Sequence, residues 1–301
     1  PVPRQVQVTN NATLTLERGV TLKFAAGVSL YVGMNTEGKL IANGTKEQPV
    51  VFTSGTASPA QGDWKFIDFE SKTLAGTQLD YVIIEYAGSG DSPAIRVGFN
   101  SPSDRVSITN SVFRNNKAGV LTSESTDFAF KTFDNNKTEK NGDFSLNVYP
   151  NTIGSLGKDN SFGAPIHIRR GDITKTTTWH KFDQPYLILQ SVNIGGSGAG
   201  AILTIAEGST LTFGNGGTFH IGYTQYKPGS LMAKNVTFTS GTAAPTKGDW
   251  KGLWFADETL ASKIEGCTIS LAGKDATHGV ITIGEKVIDK VEVIGTTFKD
   301  N

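Results

Sequence analysis

The chain has a single cysteine, Cys267, among its 301 residues. It can form no internal disulfide, and no Cys-x-x-Cys metal site exists. There are only four histidines, and no HxH, HExxH or Cys/His set gives a zinc signature. Net charge is also missing, with 28 Lys and Arg against 28 Asp and Glu. Without a broad basic field, nucleic acid is excluded as the expected partner. No apolar run approaches the ~20 residues of a membrane-spanning helix. Long stretches with apolar residues at helical spacing between caps are scarce. No signal peptide stands at the start. Pro1-Val2-Pro3-Arg4 reads as a trimmed linker, so the expectation is a removed leader and a secreted or outer-surface protein.

What is abundant is turn chemistry. The 35 glycines, with many Thr, Ser and Asn, suit short strands joined by tight turns. In Thr13-Leu14-Thr15-Leu16 and Thr21-Leu22-Lys23-Phe24 apolar and polar residues alternate, which buries one face and exposes the other.

The sequence also repeats itself. FTSGTASPAQGDWK (residues 52–65) returns as FTSGTAAPTKGDWK (238–251), with eleven of fourteen positions identical at an offset of 186. LTLERGVTLKF (14–24) answers to LTIAEGSTLTF (203–213), LDYVIIEYAG (79–88) to IEGCTISLAG (264–273), and VSITNSVFRNN (106–116) to VEVIGTTFKDN (291–301). A strand-rich repeat of this kind buries its inward face by stacking rung on rung. The predicted fold is all-β: a right-handed, single-stranded parallel β-helix with an internal duplication. Its halves are residues 1–160 and 161–301, continuous as one solenoid, with ~20–25 residues per rung. SVFRNN (111–116) and KTFDNN (131–136) place their phenylalanines 20 apart. That spacing predicts Phe113 stacked on Phe133, with the asparagines in left-handed turns forming an amide ladder. The N-terminal strand Gln5–Thr9 and the end Phe298–Asn301 read as ordinary rungs, which predicts end-to-end contact or a cover from further sequence.

Leu14–Phe24, Gly38–Thr45, Phe52–Ser54 and Gly62–Trp64, with the copies Leu203–Phe213 and Phe238–Trp250, resemble the parallel β-helix proteins of the pectate-lyase-like superfamily. More narrowly they resemble surface proteins of Bacteroidetes-type bacteria, and Trp179 through Leu187 resembles the strand entry of such units. The resemblance implies the fold, and for lyases an Arg or Lys base with acidic calcium ligands on an exposed sheet.

Several residues are candidates. Asp63-Trp64 and Asp249-Trp250 offer an aromatic ring beside a carboxylate, as glycan sites do. Their recurrence favours a turn copied with the scaffold. In APIHIRRGDI, Ile166 and Ile168 are expected to face inward, with His167 and Arg169 side by side outside and Asp172 near, the weak catalytic candidates. No carboxylates are expected at matching positions on adjacent rungs. Asp68 and Glu70 share a face, as paired carboxylates for acid–base work or as exposed charge. Tyr223 and Tyr226, in the lengthened loop GYTQYKPG, are the preferred glycan contacts. Cys267 stands where the first half has Val82, so it is expected to be buried and inert. No cofactor is expected, calcium being the one candidate. The leading functional reading is a non-enzymatic structural or display protein with polysaccharide or surface-glycan contact. The alternatives are a β-helix polysaccharide lyase or glycoside hydrolase, and an adhesin fragment that binds a protein.

Overall fold

The computed structural model describes residues 1–98, 100–224, 227–274 and 279–301, with the backbone alone at residue 288. Nearly all regular structure is strand; the one α-helix among the described residues is the single turn Pro150–Ile153. The chain forms two compact units, Pro1–Val148 with Ser155–Ile166, and Tyr149–Gly154 with His167–Asn301.

Each turn of unit 1 lays down three strands, which makes three parallel stacks. The first runs Val6–Val8, Leu30–Val32, Ile67–Phe69, Ile95–Val97, Leu121–Ser123, Leu146–Val148. The second holds Ala12–Leu16, Gly38–Asn43, Thr77–Asp80, Val106–Thr109 and Thr132–Asp134. The third holds Thr21–Phe24, Val50–Ser54, Val82–Glu85, Val112–Arg114 and Lys137–Glu139. Unit 2 follows the same rule. Its stacks include Tyr186–Ile188 to Thr297–Lys299, Gly171–Ile173 to Ile281–Ile283, and Thr177–Trp179 to Val291–Ile294. The pairings between these strands are parallel among the described residues, which is the predicted all-β parallel β-helix.

Period two decides what is inside. In Gly38–Asn43, Leu40 and Ala42 have no exposed surface, whereas Lys39 and Ile41 are half-buried on the outer side. Phe24, Phe52, Phe113, Phe133, Leu203, Phe213 and Phe238 are all fully buried, as their alternation predicts. Phe298, whose alternation also predicts an inward side chain, is the exception. It pairs in register with Ile269, yet 49% of it is exposed because it lies on the terminal strand of its stack.

The corners need left-handed backbone. Asn110, Asn115 and Asn135 supply it with φ of 53°, 55° and 52°, a region that asparagine tolerates better than most residues. The asparagines that follow Asn115 and Asn135 turn inward. Asn116 Nδ2 donates to the Ile84 carbonyl at 3.1 Å and to Asn141 Oδ1 at 2.9 Å, while its Oδ1 accepts from the Ala87 N–H at 2.9 Å. Asn136 and Asn160 do the same at another corner, donating to the Ile108 and Phe133 carbonyls. Backbone groups at each corner thus find partners away from water. The stacking of Phe113 on Phe133 is overturned, however. Phe133 pairs with Ile108, and Phe113 with Thr138 in a different stack. The two Asn-Asn pairs sit at different corners, since true ladder partners such as Asn110 and Asn135 are 25 residues apart.

Candidate functional site

The repeated Gly-Asp-Trp loops are structural. Asp63 Oδ2 accepts from Ser54 Oγ (2.6 Å), Thr56 Oγ1 (2.8 Å) and the Ala60 N–H (3.0 Å). Asp249 Oδ2 repeats this with Ser240 (2.6 Å), Thr242 (2.8 Å) and the Thr246 N–H (2.9 Å). Burial pushes the Asp63 carboxyl up, but the bonds from Ser54, Ala60 and Thr56 together hold it below the usual range. The hydroxyls of Ser240 and Thr246 do so more strongly for Asp249. Trp64 lies flat on Phe24, centroids 4.3 Å apart, and donates Nε1–H to the Glu85 carbonyl; Trp250 lies on Phe213 at 4.0 Å and donates to the Ser270 carbonyl. Both indoles have zero exposure. A sugar needs an open ring face, so Trp64 and Trp250 are not glycan platforms.

The trio near the start of unit 2 is split by a corner. Ile166 and Ile168 are buried and His167 half-buried, as the alternation requires. Arg169 lays its guanidinium over the Tyr149 ring at 5.5 Å. Asp172 belongs to the next strand, Gly171–Ile173, on another stack. There it accepts from Asn193 Nδ2 at 2.7 Å and lies 3.6 Å from Lys227 Nζ. It does not join His167 and Arg169 in one centre.

Asp172 instead begins a column. In register across five rungs stand Asp172, Asn193, His220, Trp254 and Thr282. A carboxylate only accepts, so Asp172 takes the amide NH₂ of Asn193, which turns the Asn193 Oδ1 the other way. That oxygen is 3.2 Å from His220 Nδ1, which therefore carries the proton. The imidazole is tilted against the Tyr223 ring at 6.1 Å and stands nearly perpendicular to Trp254 at 4.9 Å. Trp254 is 38% exposed and Tyr223 40%. The two rings border a hollow of about 450 Å³ lined also by Thr224, Asp257, Glu258 and Lys286. Two glycines shape it. Gly222 has φ +60°, and a Cβ there would stand 2.3 Å from the Glu258 carbonyl carbon. A Cβ on Gly284 would come within 2.9 Å of Asp257 Oδ1, so its absence leaves the carboxylate room. Tyr226 and His278 lie outside the described residues.

Unit 1 carries a different chemistry in its own outer column. Asp68 pairs in register with Tyr31 on one side and Arg96 on the other. Its side chain is 1% exposed, and the nearest cation among the described residues is Arg96, with Nε 3.7 Å away. Arg96 also covers the Phe66 ring at 4.6 Å. Burial raises the Asp68 carboxyl, Arg96 opposes it, and the Glu70 and Glu124 charges raise it again, to about 7. Glu70 sits over Gly98, where a Cβ would meet its Oε2 at 2.4 Å. The charges of Glu70, Glu124 and Arg96 thus all act on Asp68, although its in-register neighbours are Tyr31 and Arg96 and not carboxylates.

Residues 2–68 match the family model of the pectate-lyase like β-helix domain. The fold is a pectate-lyase-like β-helix. No curated protein matches the chain, and no solved structure does. Among the described residues, no group of three or more His, Cys, Asp and Glu is arranged to hold a metal ion.

The β-helix brings forward residues that sequence reasoning passed over. His220 looks isolated in the sequence, and Trp254 had no role there. Yet Trp254 stands at the repeat offset of 186 from Asp68, in Lys-Gly-Leu-Trp-Phe against Lys-Phe-Ile-Asp-Phe. A tryptophan where the other copy has aspartate was the available signal.

Proposed function

We propose that this protein is a non-enzymatic, secreted or surface-displayed β-helix whose second unit contacts glycans through Tyr223 and Trp254. The observation that carries this reading is the hollow itself: two half-exposed rings beside carboxylates and a lysine. Aromatic faces pack on the C–H face of a sugar ring, while charged groups hydrogen-bond its hydroxyls. The Asp172–Asn193–His220 chain fixes the imidazole beside the Trp254 ring. The reading is tested by a glycan array followed by titration of the hits. Trp254→Ala should weaken binding about tenfold or more, and an array without hits would remove the reading.

One observation favours a second reading, a polysaccharide lyase or hydrolase. Asp68, Glu70, Glu124 and Arg96 supply paired carboxylates and a cation on adjacent rungs. Near-complete burial of Asp68 argues for a structural role instead. Incubation with pectin, alginate and neutral polysaccharides, with and without calcium, separates the two. Products that vanish in Asp68→Asn would establish the enzyme.

A further inference from the structure

We infer that the hollow between Tyr223 and Trp254 takes uncharged sugar residues and turns away uronates. This rests on the glycan-contact reading above and adds the substrate class. The reason is the charge around the rings. Asp257 and Glu258 both line the hollow, against one lysine, Lys286. That ammonium lies 3.4 Å from Asp257 Oδ2, so its charge is already engaged. The next cation along the face, Lys227, is likewise held 3.6 Å from Asp172. A uronate carboxylate stacked on Trp254 would meet two carboxylates and no uncommitted cation among the described lining residues. Like charges brought together in a hollow repel more strongly than in open water. A neutral pyranose meets the opposite situation. Carboxylates accept from vicinal hydroxyls, and charge-assisted hydrogen bonds of that kind are stronger than neutral ones. Gly284 keeps the Asp257 carboxylate at the rim of the hollow, where a side chain would displace it.

The test uses the four tryptophans. Trp64, Trp179 and Trp250 are fully buried, so iodide quenching of the folded protein reports on Trp254. Neutral glucan, xylan, mannan and galactan oligosaccharides, and separately hexagalacturonate, are titrated in EDTA and again with calcium. Protection of Trp254 by a neutral oligosaccharide, with hexagalacturonate at least about tenfold weaker in both buffers, is the expected result. The variant carrying Asp257→Asn and Glu258→Gln should bind the neutral ligand more weakly, since it loses the charge-assisted hydrogen bonds, and hexagalacturonate about tenfold better than the parent. Hexagalacturonate binding as well as or better than every neutral ligand, with or without calcium, overturns the inference and leaves the glycan contact standing. Protection by no sugar overturns both.

Discussion

The rings of His220 and Trp254 stand 4.9 Å apart and 85° from parallel, on adjacent rungs of one outer column. His220 is locked from behind by Asn193 and Asp172, so the indole has a fixed neighbour. Its role is positioning. His220→Ala should weaken oligosaccharide binding about three- to tenfold while leaving the urea midpoint nearly unchanged. Asp172→Ala should reproduce part of this loss, because it releases the Asn193 amide. Affinity that is unchanged in both variants would separate the column from the site.

Asp68 gives a pH dependence of unusual sign. Its folded pKa is about 7, above the ~3.9 of an unfolded aspartate. Below ~4 both states are neutral and nothing is lost. As pH rises toward 7 the unfolded chain ionises first, so stability falls, by roughly 2–4 kcal/mol once the folded group ionises too. Asp68→Asn keeps the shape and the neutral state. Urea midpoints should therefore be higher in the variant at about pH 8 and equal to the parent at about pH 4. A variant less stable at the higher pH would show that the Arg96 pair outweighs burial.

The repeated loops should prove costly to damage. Trp250 is fully buried against Phe213 and hydrogen-bonded through its indole. Trp250→Ala should cost about 3–5 kcal/mol by denaturant unfolding. Asp249→Asn leaves the ring in place but removes a carboxylate that four donor contacts hold ionised. Because that pKa is lowered on folding, the parent should lose stability as pH falls through the acid range, and the variant should lose less.

Cys267 is 1% exposed, and burial raises its thiol above the ordinary value. Maleimide should label the folded protein slowly and the urea-unfolded protein at once, since attack needs an accessible thiolate.

The inward rows were legible in the sequence because period-two alternation acts within one strand. Phe24 and Phe213 needed no knowledge of their neighbours. The partnership of Phe133 with Ile108 was not legible, because ladder partners depend on how many residues each corner consumes. Trp64 and Trp250 show the same limit from the other side. Gly-Asp-Trp is visible as a motif, yet whether its indole faces a sugar or a phenylalanine depends on a loop folding back, which no local pattern states. Trp254 was hidden because its partners His220 and Asn193 come from two earlier rungs.

The outer columns behave like lines of type. Parallel strands repeat at about 4.8 Å, and each rung contributes one outward side chain to a column, as at Asp172, Asn193, His220 and Trp254. A letter can be exchanged without resetting the page, since the residues on either side of it, such as Leu253 and Phe255, keep the interior filled. At the sequence offset of 186 the first unit carries Asp68 in one column and the second carries Trp254 in another, so matching sequence positions read as acid in one unit and as aromatic in the other. New surface chemistry can therefore arise here by single substitutions at fixed pitch, and sites built this way will be ordered along the columns, where neighbours are assured, sooner than around a turn.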